Sequence, residues 1–243
     1  MKPTTPRATP IIIPAYNPPP LFEGYVRSLR RSIAQPILVI NDGSDAAYTS
    51  VFRVLSGIAS VTVLHHPKNL GKGAALKTGF GHAALEWPES GGYVTADADG
   101  QHHVGDIQAC IREAIRAPQA LIIGARARPH DMPKQNHFGR RTASAFLSVL
   151  YGVRIQDTQS GLRYVPKALA ARMVSSPFDR YDFEMDMIFR AISLKAPIRE
   201  FPIRTIYLEG NRHSKYRVVR DTMRVTSVYF YHLRHIFRRR VTS

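Results

Sequence analysis

The sequence predicts an α/β fold, with a mostly parallel central sheet covered by helices on both faces and an amphipathic helix at the C-terminal end. Three observations predict it. Short β-branched runs alternate with longer runs of helical length through the first half of the chain. Polar stretches follow the short runs at their carboxyl ends. From residue 217 onward, apolar and basic residues separate onto opposite sides of a helix.

In chain order, Ile11 to Ile13, Ile37 to Ile40, Val61 to Leu64, Tyr93 to Ala96 and Leu121 to Ile123 read as buried strands. Between them, Leu21 to Ser32, Ala46 to Ser56, Gly73 to Trp87 and Asp106 to Ala117 have helical length and mostly helical spacing. Strand and helix in alternation imply right-handed crossovers and parallel pairing. A further helix-like run spans Tyr181 to Leu194. With 243 residues and 44% hydrophobic content, the chain is long enough for one sizeable core. The expected organisation is a flexible segment over 1–10, one domain over 11–216, and a basic helix and tail over 217–243.

The single cysteine, Cys110, has no intrachain partner, which rules out a disulfide framework or a cysteine-based zinc site and favours a reducing compartment. The polar, Pro/Thr-rich start of the chain lacks the apolar core of a signal peptide, and no uncharged apolar run reaches the length of a membrane span. The expected location is therefore the cytoplasmic side. The formal net charge is +16, and between Arg212 and Arg240 nine Lys/Arg face one acid, Asp221, so the excess is concentrated at the C-terminal end.

Ligands of parallel α/β sheets bind beyond the carboxyl ends of the strands. At those ends the sequence places Pro14-Ala15-Tyr16-Asn17, Asn41-Asp42-Gly43-Ser44, Asp97-Ala98-Asp99-Gly100-Gln101 and Gly124-Ala125-Arg126. Asp97 and Asp99 are two residues apart on a chain leaving a strand, so both carboxylates can reach one hard cation, which would neutralise a diphosphate. Each stretch also has a plainer reading. An Asp-rich triplet is common in loops, and Ser44 or Asp45 would serve as a helix cap. The Asn69-Leu70-Gly71-Lys72-Gly73 stretch lacks the spacing of a phosphate loop and reads as a helix start with close backbone packing, with no role assigned to Lys72.

Taken in order, the stretches IIIPAYN, VINDGSD, NLGKGAALKTGF, ADADGQH, IIGAR, DTQSGLR and HSKYR resemble glycosyltransferase family 2, and within it the dolichyl-phosphate mannosyltransferase-like branch. The resemblance spans roughly Ile11 to Tyr216. It implies the nucleotide-diphospho-sugar transferase (GT-A) type of sheet, with Asp97, Asp99 and Gln101 holding Mg²⁺ or Mn²⁺ on the donor diphosphate. It further implies that Pro14, Tyr16 and Asp42 hold base and ribose, with Asn17 and Ala98 in the same substrate-binding stretches. Arg126 would approach the diphosphate, and Lys215 would close over it. Two positions depart from the pattern: Pro18-Pro19-Pro20 replaces an acid common after the PAYN stretch, and Glu209 stands where close mannosyltransferases carry an Arg, leaving Arg212 as the substitute. Uridine and guanosine both stay open.

The acceptor decides the chemistry. A lipid phosphate is already anionic and attacks the anomeric carbon without a dedicated base, in a single inverting displacement. A hydroxyl acceptor would need a carboxylate base, for which Asp157 is the candidate by resemblance, beside the plain reading of a loop carboxylate bonded to backbone amides. Glu184 and Asp186 face either acceptor or solvent and rank below it. The terminal helix, with Arg217, Arg220, Arg224, Arg234 and Arg238 on one arc, Tyr229, Phe230 and Phe237 on the other, and Arg238-Arg239-Arg240 trailing, reads as lying on an anionic membrane surface. Its alternative is plain packing on the domain. The expected partners are thus a nucleotide-diphosphate sugar, a polyprenyl phosphate, the membrane surface and a small membrane-protein partner, with no nucleic acid. A basic nucleic-acid-binding protein is the alternative of another class, but no nucleic-acid motif is present. A nucleotidyltransferase would carry a Gly-rich, Arg-containing loop where Pro14 to Asn17 stands. A catalytically silent scaffold would have little use for Asp97, Asp99 and Gln101 together.

Overall fold

Ile11, Ile12 and Ile13 are fully buried, and they split between two cores: Ile11 and Ile13 belong to one cluster and Ile12 to the other. That division follows from the period-2 alternation of a strand covered on both faces. The computed structural model of the chain describes residues 8–126, 148, 151–204 and 227–233.

Strands β1 (Ile11–Ala15), β2 (Ile37–Asn41), β3 (Val61–His65), β4 (Gly92–Thr95) and β5 (Leu121–Arg126) lie where the short apolar runs predict them. Two further strands, β6 (Arg163–Pro166) and β7 (Ile198–Ile203), complete a seven-stranded sheet in the order β3-β2-β1-β4-β6-β5-β7. β6 runs antiparallel between β4 and β5, and the other pairings are parallel. The mostly parallel sheet is therefore present, with one reversed strand inside it. Neither β6, which opens on an Arg and closes on a Pro, nor β7, an edge strand containing Pro202, has the uninterrupted β-branched character that marks β1 and β2.

Helices α1 (Phe22–Ser32), α2 (Thr49–Ser56) and α4 (Val104–Arg116) supply Phe22, Val26, Leu29, Phe52, Leu55, Ile107 and Cys110 to the first core. Helices α3 (Lys72–Glu86), α5 (Lys167–Met173) and α6 (Phe183–Ser193) supply the second. α3 lies close on β1 because its inward positions are small. A Cβ at Gly79 would stand 2.5 Å from the Ile12 side chain. The run expected as one helix from Ala46 opens instead with a 3-10 turn, Ala46–Tyr48, before α2 begins. Gly124 to Arg126, read from sequence as a strand end, belong to β5 itself.

α6 is buried nearly all round, and it carries Glu184 and Asp186 inward. Asp186 accepts hydrogen bonds from Ser176 Oγ and Arg190 Nε, and it is joined to His232 Nε2 at 2.7 Å. It faces neither solvent nor an acceptor, contrary to the sequence reading, because these partners satisfy its charge inside the second core. His232 belongs to α7, the helical segment 227–233. Its ring stacks on Phe189 at 4.6 Å, while Val228 is fully buried and Tyr229 meets Phe189 edge-on. This part of the terminal helix packs on the domain, as its plainer reading has it, and leaves Phe230 67% exposed. Arg217, Arg220, Arg224, Arg234, Phe237 and Arg238 lie outside the described residues.

Candidate active site

The β-strands of the parallel set deliver their polar ends to one edge. The β1 and β2 exits are tied together: Asn17 donates its backbone N–H to Ser44 Oγ at 2.9 Å, and its side chain exchanges hydrogen bonds with Asp45. Asn17 adopts φ 43°, a left-handed conformation that Asn tolerates better than most residues. Ser44 and Asp45 were expected as caps of the next helix. Instead Ser44 receives the Asn17 amide, and Asp45 makes no side-chain cap bond, because the loop is needed to bridge the two strand ends.

Asp42 is buried, and its carboxylate is occupied. Oδ1 accepts from the Leu70 amide and pairs with His66 Nδ1, while Oδ2 accepts from the Gly71 amide. As seated it organises the turn that starts α3. Gly71 at φ 111° and Gly73 are both required there, since a Cβ on either would collide with Asp179, Arg180 or Phe183. The close-packed helix start expected for this stretch is what forms, and it brings Lys72 into the site.

Lys72 Nζ lies 2.5 Å from Asp97 Oδ1 and 2.9 Å from Glu184 Oε1. Burial by itself would lower the Lys72 pKa, but the two carboxylates raise it overall and keep the ammonium charged. Burial likewise pushes Asp97 upward, yet Lys72, with His102, holds it well below the ordinary carboxylate range. Asp99 shifts the other way, raised by burial and then by the charge of Asp97. Glu184 is thus buried against Lys72 and does not face solvent. Arg163, fully buried at the start of β6, donates to the carbonyls of Ser160, Thr158 and Glu184 and so locks the DTQSGLR loop against α6. Gly161 in that loop must lack a side chain, because a Cβ would overlap the Asp97 carboxylate.

Arg126 grips Asp157, with Nε donating to Oδ2 at 2.7 Å and Nη2 to Oδ1 at 3.1 Å. This bidentate geometry fixes the guanidinium plane. The backbone amides of Gln156 and Asp157 in turn donate to Glu200 on β7. An open cleft is lined by Asp97, Gln101, His102, Arg126, Gln159 and Arg204. Asp97, Gln101 and Arg126, chosen from sequence, therefore come together. Pro14, Tyr16 and Asn17 lie at the neighbouring β1 exit, and Ala98 and Asp99 in the β4 exit. Arg212 and Lys215 lie outside the described residues.

Among the described residues, no three His, Cys, Asp or Glu side chains form a closed metal cage. The Asp97–Gln101 stretch nevertheless fits an open cation site. It offers the oxygen donors that a hard cation prefers, and buried His102, with Nε2 3.4 Å from Asp97, has neither ring nitrogen in a hydrogen bond. The sequence left Lys72 without a role and ranked Glu184 below Asp157, and it did not single out His102, Arg163 or Arg204. The Lys of NLGKG, the His of ADADGQH and the Arg of DTQSGLR sit within quoted motifs and were the available signals; Arg204 carried none.

The family model for glycosyl transferase family 2 matches residues 11–175. The chain belongs to glycosyltransferase family 2. A UDP-N-acetylglucosamine–dolichyl-phosphate N-acetylglucosaminyltransferase of Methanococcus voltae is 30% identical, over 82% of this chain and 86% of its own. A dolichyl-phosphate β-glucosyltransferase of Drosophila melanogaster is 28% identical, over 83% and 68% respectively. These relatives support the polyprenyl-phosphate branch of the family. Among solved structures, the glycosyltransferase fold resembles glucosyl-3-phosphoglycerate synthase of Mycobacterium tuberculosis, with a TM-score of 0.70 at 15% identity, covering 93% of this chain and 78% of that one. The enzyme is thus a nucleotide-sugar-dependent glycosyltransferase. Among the described residues, no helix is long and apolar enough to cross a membrane.

Proposed function

We propose that this glycosyltransferase moves a hexose from a UDP- or GDP-linked donor to a polyprenyl phosphate, with inversion and with Mg²⁺ or Mn²⁺, at the cytoplasmic face of a membrane. The observation that carries the reading is the meeting of Asp97, Gln101 and Arg126 in one cleft beyond the sheet edge. Asp97, Asp99 and Gln101 would hold the cation, which when bound supplies positive charge to the leaving diphosphate. Pro14, Tyr16 and Asn17 at the β1 exit, with Ala98, suit the nucleoside side. Asp42, enclosed by the Leu70 and Gly71 amides and His66, would support that side indirectly. Arg126 stands toward the diphosphate, oriented by Asp157. Lys215 and Arg212 are proposed to close over it.

The acceptor phosphate oxygen attacks the anomeric carbon as the bond to the nucleoside diphosphate breaks, and no proton need be removed. The enzyme's contribution is then orientation and fixed positive charge. A hydroxyl acceptor with Asp157 as base is the weaker reading, since Asp157 is fully buried and both its oxygens are engaged by Arg126. The exposed Phe230 on α7 supports contact with a lipid surface, where a small membrane-protein partner would also be met.

The test is nucleoside diphosphate release from a panel of UDP- and GDP-sugars, with and without polyprenyl phosphate and Mn²⁺, in the wild type and Asp99→Asn. Release that needs lipid phosphate and metal, and collapses in the variant, supports the proposal. Lipid-dependent release that survives both metal removal and the substitution sinks the metal assignment.

A further inference from the structure

Among the described residues that line the cleft, each charged side chain but one has an opposite charge beside it. Lys72 is met by Asp97 and Glu184, and Arg126 by Asp157. Arg204, which lines the same cleft, makes no ion pair among the described residues. Its backbone is nonetheless held, because its amide donates to buried Asp106 Oδ2 at 3.1 Å and it directly follows Ile203, which is in register with Arg126 on β5. Two guanidinium-bearing residues therefore leave adjacent parallel strands at the same edge, one neutralised and one not.

Strand order says which anion Arg204 meets. Along the edge, the β2, β1 and β4 exits carry the stretches suited to nucleoside and diphosphate, Arg126 on β5 bounds the diphosphate on its far side, and β7, the outermost strand beyond it, sets Arg204 one strand further out. A single displacement requires the acceptor to approach the sugar from the side away from the diphosphate. We infer that Arg204 binds the phosphate of the acceptor and so makes the enzyme prefer a phosphomonoester to a neutral alcohol. This rests on the proposed transfer to a phosphorylated lipid. Unpaired and solvated, the guanidinium is available to an incoming anion, and Arg suits a phosphate through its fork of donors.

The experiment measures equilibrium binding of farnesyl phosphate, farnesol and inorganic phosphate, and separately of UDP with Mn²⁺, to the full chain as wild type, Arg204→Gln and Arg204→Lys. Sugar transfer to polyprenyl phosphate is followed in parallel. Arg204→Gln is expected to weaken farnesyl phosphate binding roughly tenfold or more, to raise KM for the lipid more than it lowers kcat, and to leave UDP binding and the melting temperature unchanged. Arg204→Lys should recover part of the loss. Inorganic phosphate binding that falls in step with farnesyl phosphate assigns the contact to the phosphate rather than the lipid chain. Equal loss of UDP binding would place Arg204 on the donor and overturn the inference, as would unchanged farnesyl phosphate binding in Arg204→Gln, or a wild type that binds no phosphomonoester. A wild type that binds phosphomonoester through Arg204 yet transfers no sugar to polyprenyl phosphate would refute the lipid acceptor and leave the role of Arg204 standing.

Discussion

Lys72 and Asp97 stand 2.5 Å apart at the junction of α3 and the β4 exit, and Glu184 on α6 closes the group from the other side. One ammonium therefore holds together the helix start, the DxD stretch and a buried helix of the second half. Removing one member of a buried charge group costs about 3–5 kcal/mol, because the remaining charges are left uncompensated. Lys72→Met should accordingly lower stability by several kcal/mol and abolish transfer. The double variant Lys72→Met/Glu184→Gln should regain part of the stability and none of the activity, as read by urea unfolding and nucleoside diphosphate release. A double-variant loss equal to the sum of the Lys72→Met and Glu184→Gln losses measured separately would show that Lys72 and Glu184 are not coupled.

Gly161 lies so close to Asp97 that an added Cβ would sit well inside 3.0 Å of the carboxylate. Gly161→Ala is expected to displace Asp97, reducing kcat/KM by about tenfold or more while the fold persists. A melting curve and initial rates check both halves of that statement.

Arg126 and Asp157 act as one unit through their two hydrogen bonds. Asp157→Asn and Arg126→Lys should each lower kcat/KM, and the double variant should be little worse than the more damaging single change. Fully additive losses would instead give Asp157 a separate task, such as that of a base.

Asp186 contributes a pH-dependent part of stability. Burial would raise its pKa, but His232, Ser176 and Arg190 lower it overall. A carboxyl whose folded pKa is depressed adds stability above its unfolded value, about 3.9, and loses it as pH falls through the folded value. The stability gap between wild type and Asp186→Asn should therefore be widest above about pH 5 and shrink toward acid, measured by denaturant unfolding across pH 3 to 7. A gap independent of pH would contradict the assignment.

Phe230 is the most exposed apolar residue described in α7, while Val228 and His232 hold that segment to α6. Phe230→Asp is expected to leave the melting temperature within about a degree, as surface changes do, and to reduce sedimentation with anionic vesicles. Undiminished sedimentation would show that this residue takes no part in a lipid contact.

Continuous β-branched runs made β1 to β5 legible, because a strand buried on both faces has no room for polar residues. β6 stayed hidden. Its opening Arg163 is a buried hub for three carbonyls, and nothing in a local window distinguishes such an Arg from a surface one. The polar strand ends were legible as a site for the same reason as the strands, since polar residues stand out directly after apolar runs. The neighbours that complete the site come from sequence positions far away: Lys72 meets Glu184 across 112 residues, and Thr95 reaches the Gly161 carbonyl across 66.

By itself, then, the sequence determined the layered α/β class, the edge at which the polar strand ends gather, the acidic stretch Asp97 to Gln101 and the basic C-terminal end, all written in local pattern and ordered motifs. Tertiary structure alone decided that Asp186 is a buried anchor, that Asp42 supports a turn, that Asp157 is spent on Arg126, and that Arg204 is left without a counter-charge among the described residues. Carboxylates and guanidiniums look alike in a sequence. Whether each is paired, buried or free depends on which distant elements the sheet order brings beside it, and that pairing sets its charge and its reach.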